Sequence, residues 1–490
     1  MTATAFAVLA PFVWSSSFVA QFAIPKLIVL AAGVPFMFWR GRIEWNRSLI
    51  GSGAVVLGVF GLSAWACADP YLAMVGRHNS YALGMLGLSL CYLYHIGSSS
   101  EDPGHLELLA LAGSSLGCVA VLEWFGVGHS LAAGMSGARA VGTIGSPTDL
   151  GAILALLLPV SWWLNPVLGG FAGLGLVVSG SRGAWVGAAV GMAIYAWRKG
   201  HERLVLVAVL ALGLAFAAVG AGGRSWGRSD AGRVGIWRLA VKAWSSAPYL
   251  GHGPDSFENS FRRYRDAEFA KIEDSDSYIQ ADAHNDVLQV LATGGTVGLL
   301  AYLGLAVMAF RAVRHHPAVL AGLSALFVNA KFNPIPLEGM VLAGVMVGLA
   351  SNRESKVYEV NPVFWNFARC CMVGLVCIVA RLAHADYLAD KGYFLKAIER
   401  NPWEMSYRSS FVNYTIDAIR ADEDGAISPG VTEPALWAGL VGLKMRPATS
   451  TAWYTAAMSA KISGKPWEPI LERGLLLDPM NRPMLRMVGR

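Results

Sequence analysis

Three short stretches of the chain carry side chains suited to moving a phosphorylated group. The first is SGSRGAWVG at 179–187, where Arg182 sits between two apolar runs beside Gly180 and Gly183. Glycine lets a helix or a ligand come close to the backbone. A guanidinium offers a planar fork of donors that matches phosphate oxygens. The plainer alternative is an arginine that anchors a helical hairpin, its stem in an apolar layer and its head in water.

The second is GRSDAGRVGIWRLAVKAWSSAPYLGHGPDSF at 227–257. Its start is basic, with Arg224, Arg228, Arg233, Arg238 and Lys242 against Asp230 alone. Ile236, Trp237, Leu239, Ala240 and Trp244 form one face of an amphipathic helix, expected to lie along a membrane surface. Arg233 precedes that face by one turn and can point toward a lipid headgroup or a bound polyanion. For the other arginines, anionic lipid is the simpler partner. PYLGHGPDSF is too dense in glycine and proline for a helix and reads as a turn. Arg238, Tyr249 and Asp255 are candidate substrate contacts, with Trp237 beside them and Asn285 of the third stretch as a further one.

The third is DAHNDVLQVLATGGTVGLLAYL at 282–303, where His284 and Asn285 lie just before an apolar run. Asp282 or Asn285 would cap the helix that follows. A neutral imidazole, with a pKa of about 6.5, is a natural base. Asp282 or Asp286 would hold its tautomer. A capping cluster with a bystander histidine is the alternative. Metal-ligand spacing of the His-x-x-x-His kind is missing from the sequence, so no metal and no cofactor are expected. Without a metal, a pyrophosphate leaving group must be neutralised by arginines, which this set could supply.

The elements that hold these residues are apolar. Of 490 residues, 54% are hydrophobic and 15% charged, with mean hydropathy +0.46. Soluble domains carry about 25% charged residues. A helical crossing needs roughly 20 apolar residues, and backbone satisfaction in lipid leaves only helices or closed barrels. The runs are continuous rather than alternating, so the expected fold is all-α, a polytopic transmembrane helical bundle. About thirteen crossings are placed, at 4–19, 22–39, 49–67, 80–96, 106–126, 148–164, 166–180, 183–197, 204–221, 287–310, 317–331, 337–350 and 363–381. The first residues lack the basic start of a cleavable signal peptide.

With the N-terminus cytoplasmic, the inner loops hold ten basic residues and the short outer loops four: Arg77, Arg139, Arg182 and Lys331. The positive-inside rule then puts the loop 222–286 and the tail from 382 outside. The expected divisions are membrane helices 1–221, a periplasmic loop 222–286, membrane helices 287–381 and a helical tail 382–490. The net charge of +6 reflects orientation rather than nucleic-acid binding. Six cysteines, all inside apolar runs, fit neither a metal site nor a disulfide framework. The tail holds paired Ala/aromatic and amphipathic segments ending in Asn-Pro or Asp-Pro, similar to degenerate tetratricopeptide repeats, and is expected to lean on the membrane domain or a protein partner.

Together with DPYLAMVGRHNSYALG at 69–84 and VGTIGSPTDLGAILALLLP at 141–159, these stretches resemble the O-antigen ligase and O-antigen polymerase family, which includes bacterial protein O-oligosaccharyltransferases. The order and spacing cover most of residues 60–310. The resemblance implies a bacterial inner-membrane glycosyltransferase that takes a glycan from undecaprenyl pyrophosphate on the periplasmic face. Its acceptor would be a hydroxyl of lipid A–core, of another glycan chain in polysaccharide biosynthesis, or of a protein. The family's essential arginines fall on Arg182 and Arg233, and its essential histidine on His284. The tail and an extra final span depart from a simple ligase.

In the expected mechanism Arg182 and Arg233 grip the pyrophosphate, and His284 deprotonates an acceptor hydroxyl that attacks the anomeric carbon with inversion. Two rivals from other classes are a flippase for lipid-linked glycans and a scaffold that docks partners on the tail. A flippase would want deep charges and helical repeats, whereas Lys26 and Glu123 are the few charges within runs. A scaffold does not explain the Arg/Arg/His grouping.

Overall fold

The computed structural model of the protein describes residues 2–37, 42–45, 47–127, 139–200, 226–269, 280–351, 356–359, 362–421 and 429–489. Among the described residues, five helices are long and apolar enough to cross a membrane: Leu49–Ala66, Pro103–Trp124, Pro147–Leu164, Asp286–Val313 and Ala368–Asp390. Ala3–Phe12, Ala23–Met37, Pro166–Ser179, Pro317–Asn329 and Leu337–Ser351 are apolar but shorter. The chain is a polytopic helical membrane protein. The span expected at 204–221 lies outside the described residues.

Pro147–Leu164 is the centre of the bundle, with every residue from Leu150 to Ser161 buried. Glycines let its neighbours come close. A Cβ on Gly117 or Gly175 would run into the backbone of the opposing helix, the small-residue packing that substitutes for a hydrophobic drive inside lipid. The two ends of the bundle are distinct. At one end Glu101 binds the backbone of Ala3 and Thr4, and Arg198 donates to the Arg314 carbonyl. At the other end, Lys26 meets Glu338, Arg139 donates to the Ser179 carbonyl, Asp286 pairs with Lys331, and Asp69 pairs with Arg446.

Several expectations need correction. The first span, placed at 4–19, is helical only over Ala3–Leu9 with a 3-10 turn to Phe12. Pro11 cannot donate to a continuing ladder, and the serines beyond it bond locally, Ser17 N–H to Ser15 Oγ. The span placed at 80–96 starts later, as Met85–Ser98, because residues 76–84 form a tight loop with Gly76 and Tyr81 at positive φ. The fold is all-α as expected, with one short antiparallel pair beside the helices, Arg42–Trp45 against Lys356–Glu359, Arg42 opposite Glu359. The final span, placed at 363–381, belongs to a helix that continues to Asp390. The amphipathic helix Trp226–Ser246 forms, but its apolar face meets protein rather than lipid. Ile236, Leu239, Ala240 and Ala243 are buried against Phe257, Phe261, Phe269, Ala283 and Ala292.

The helix Asp286–Val313 is broken at Gly295, where φ is +66° and ψ −168°. The turn after Trp226–Ser246 fills the break. His252 and Gly253 donate to the carbonyls of Ala292 and Thr293, and Thr296 and Val297 donate to Pro248 and Tyr249. A Cβ at Gly295 would overlap the Tyr249 carbonyl. Gly295 is thus required twice, by its conformation and by the close approach.

Beyond Asp390 the tail is a run of short helices: Phe394–Arg400, Met405–Ala421, Pro429–Met445, Ser450–Ile462, Glu468–Leu477 and Arg482–Met487. It is docked by buried charge. Arg446 donates to both oxygens of Asp69, Nη2 at 2.5 Å. Asp478 is fully buried between Arg262 at 3.4 Å and Arg265 at 2.7 Å. Asp386 takes bonds from the Ala20 N–H at 2.9 Å and Tyr407 Oη at 3.1 Å, with His78 Nε2 at 2.5 Å.

Two substitutions test this frame. Asp69→Ala strands the buried Arg446 and should weaken tail docking by roughly 3–5 kcal/mol, seen as faster limited proteolysis after residue 390. Gly295→Ala forces a strained backbone against a carbonyl and should lower stability by ~2–4 kcal/mol, measured as a drop in Tm.

Candidate functional site

Each predicted site residue has a definite structural context. Arg182 is the first residue of the helix Arg182–Arg198. The preceding helix stops because Gly180 takes a left-handed conformation, φ +59°, and Arg139 Nε closes on the Ser179 carbonyl at 2.8 Å. This leaves Arg182 half-buried at a helix N-terminus, where unpaired N–H groups favour an anion. Ser181 Oγ beside it is a buried polar atom without a hydrogen-bond partner. Gly183 presses on Asn329 and Asn333.

His284 is held against the same turn. Asn285 caps the next helix, its Oδ1 accepting from the Leu288 N–H at 3.1 Å while Nδ2 donates to the Lys331 carbonyl at 3.4 Å. Asp286 donates its N–H to the Ala330 carbonyl, and its carboxylate holds Lys331 Nζ at 2.6 Å and Tyr302 Oη at 2.5 Å. Residues 329–333 therefore anchor both the Arg182 helix and the His284 segment. His284 itself is at φ +48°, a conformation a non-glycine residue adopts only under surrounding constraint. Its backbone N–H donates to Asp282 Oδ1 at 2.9 Å.

The imidazole is set up to be neutral. Its Nδ1 lies 3.3 Å from Asp282 Oδ1 but is not aligned for a hydrogen bond, so it remains a buried polar atom without one. Burial lowers the His284 pKa; Asp282 opposes this, and the positive charges of Arg233 and Arg77 push the same way as burial. Arg233, half-buried on the helix Trp226–Ser246, is thereby placed within electrostatic reach of His284. One turn along, Trp237 Nε1 is buried without a hydrogen-bond partner.

Arg77 is the residue that sequence reasoning undervalued, counting it only as a basic residue of an outer loop. Its backbone N–H donates to Asp255 Oδ2 at 2.6 Å. Asp255, at φ +52°, is buried in the turn that fills the helix break. Burial pushes its carboxyl up to about 6, against the charge and the N–H of Arg77. The signal available in sequence was the polar run Gly76-Arg77-His78-Asn79-Ser80 between two apolar stretches.

The remaining candidates are placed elsewhere or act through the backbone. Arg238 is exposed and pairs with Asp266 and Glu268. The Tyr249 side chain is exposed, and its carbonyl serves the helix break. Asn285 acts as a helix cap.

Behind His284 lies a cavity of about 330 Å³. Asp282, His284, Asn285 and Asp286 line it at one end, and Leu57, Phe60, Leu305 and Val347 line it farther in. It reaches His95, in the last turn of Met85–Ser98, so it follows the helices toward the opposite end of the bundle.

Residues 167–303 match the family model described as O-antigen ligase. This stretch is similar to the O-antigen ligases. It contains Arg182, Arg233 and His284, together with the turn and the helix break that hold them. Arg77 and the docked tail fall outside it. No curated protein matches the chain. The match supports, in general terms, a function of the O-antigen ligase or polymerase type, that of a membrane glycosyltransferase-like enzyme with a lipid-linked glycan and an acceptor as partners.

The charges around His284 predict a pH profile. Asp282 favours the imidazolium, so Asp282→Asn removes a stabilising charge and lowers the pKa further. The acid limb of the activity profile should therefore move to lower pH in this variant, with wild type already below the ordinary value of about 6.5. Rates of glycan transfer between pH 4.5 and 8 (about this range brackets both limbs) check it.

Proposed function

We propose that the protein moves a glycan from undecaprenyl pyrophosphate to an acceptor hydroxyl on the periplasmic face of the inner membrane, with inversion at the anomeric carbon. The observation that carries the reading is His284 itself, on a strained backbone at φ +48° and lining an apolar cavity that follows the bundle, where burial and the charges of Arg233 and Arg77 disfavour its charged form. The orientation rests on the excess of basic residues in the loops at the opposite end. An apolar slot of this depth suits part of a polyprenyl chain, which leaves the pyrophosphate at the mouth beside the arginines.

In the reaction His284 takes the proton of the acceptor hydroxyl, and the oxygen attacks C1 of the donor sugar. The C1–O bond breaks as the new one forms, and its electron pair leaves with the lipid pyrophosphate. Arg182, at a helix N-terminus, and Arg233 stabilise that developing charge, a preorganised arrangement that needs no reorganisation during the step. The proton passes from His284 to the released pyrophosphate or to water. The acceptor is a hydroxyl of lipid A–core, of a growing glycan or of a protein, and the glycan lost on deletion of the gene identifies which.

His284→Ala should slow release of pyrophosphate-lipid by about 10²–10⁴-fold in purified protein, while donor binding persists. Turnover at the wild-type rate would remove His284 from the chemistry. Arg182→Lys should also be poor, since a compact ammonium cannot reproduce a bidentate fork.

A further inference from the structure

Next to the His284 cavity lies a second, smaller one of about 140 Å³, with a different lining. Phe22, Lys26, Arg77, Asn79, Asp149 and Glu338 face it. Lys26 is 2% exposed and Glu338 5%. They pair at 2.6 Å, and Lys26 Nζ also donates to the Ile144 carbonyl at 3.0 Å. Two of the three N–H donors of the ammonium are used, which leaves one for a ligand. Burying two charges costs several kcal/mol each, and an apolar pair of similar volume is often at least as stable. Stability alone therefore does not account for an ion pair in the wall of a cavity.

The lining mixes both signs. A site for an anion would exclude Asp149 and Glu338, and a site for a cation would exclude Lys26 and Arg77. A ligand whose polar groups both donate and accept fits both sets, and the ring of hydroxyls on a carbohydrate is such a ligand. Phe22 adds an aromatic ring, 5.8 Å from Lys26 Nζ, for the C–H face of a sugar ring.

The cavity adjoins the reaction centre. Pro334 and Ile335 line both cavities and form a common wall. Arg77 lines the smaller one and acts electrostatically on His284. Asp149 feels the charge of Asp282, the carboxylate beside His284.

We propose that this cavity, bounded by Lys26, Glu338, Asp149, Arg77 and Asn79, is a binding site for the sugar ring that presents the acceptor hydroxyl, separate from the donor's lipid slot. The proposal rests on the reading of the protein as a glycan transferase with His284 as base. It makes the acceptor a carbohydrate rather than a protein side chain.

The test uses the full chain in detergent and saturation-transfer NMR with methyl glycosides of glucose, galactose and N-acetylglucosamine. At least one glycoside should receive saturation from wild-type protein. Asn79→Trp, which puts a large ring into the lining of the cavity, should weaken that binding at least about tenfold, or ~1.4 kcal/mol. The double variant Lys26→Met with Glu338→Leu preserves volume without stranding a charge and should do the same, with Tm measured to show that both variants fold. Inorganic pyrophosphate, bound at Arg182 and Arg233, should not displace the glycoside. The proposal is overturned by the absence of glycoside binding to folded wild type, by binding unchanged in either folded variant, or by displacement with pyrophosphate. Loss of pyrophosphate binding in Arg233→Ala is measured separately by calorimetry. If wild type binds no pyrophosphate, the donor reading fails by itself, whatever the glycoside result.

Discussion

The site depends on a broken helix whose break is filled. At Gly295 the helical ladder stops within the bundle, and a peptide group there has no water to turn to. Four backbone hydrogen bonds from residues 248–253 restore the pairing. Ser63 Oγ adds bonds to the carbonyls of Leu250 and Thr293 at 2.6 and 3.1 Å. The turn that makes these bonds follows directly on the helix bearing Arg233, and the broken helix follows directly on His284. A defect in one element is thus the means by which a cation and a base from distant parts of the chain share one position.

Around that seam burial and the charges of Arg233 and Arg77 oppose protonation of the imidazole, and Asp282 favours it. Asp255 and Asp282 are buried close to Arg77, Arg233 and His284. Asp255 holds the Arg77 backbone in the loop, and Asp282 holds the His284 backbone. Both Asp255 and His284 take left-handed conformations. Such strain persists where the surroundings over-determine it, and here the surroundings are the hydrogen bonds of the loop and the seam.

The tail is part of this arrangement. Buried ion pairs tie it to residues 167–303 and to the neighbouring loop, Arg446 with Asp69 and Asp478 with Arg262 and Arg265. His78, the residue after Arg77, is tied to Asp386 at the base of the tail. Burial disfavours the charged ring, but the bond to Asp386 and the charge of Glu404 hold its pKa above the ordinary value. Buried pairs add little net stability, but they tolerate only one register. The loop that carries Arg77 is consequently held between the membrane bundle and the tail.

Local pattern determined much of this protein. Apolar runs marked the helices because lipid allows few alternatives, although the ends of several moved once proline, glycine and tertiary contacts acted. Arg182, His284, the helix start at Asn285 and the turn at 247–256 were visible because a charge or a Gly/Pro cluster between apolar runs is a local feature. Tertiary structure decided the rest, since it depends on partners hundreds of residues apart. Asp69 reads as a helix cap until Arg446 arrives, and Asp478 as a turn residue until two arginines enclose it. The amphipathic helix had a clear apolar face, but hydrophobicity has no direction, and the periodicity could not say whether lipid or Phe257 and Phe261 would cover it. Arg77 gained its place only when its loop folded against Asp255, because a field at an imidazole depends on distance in space and not along the chain.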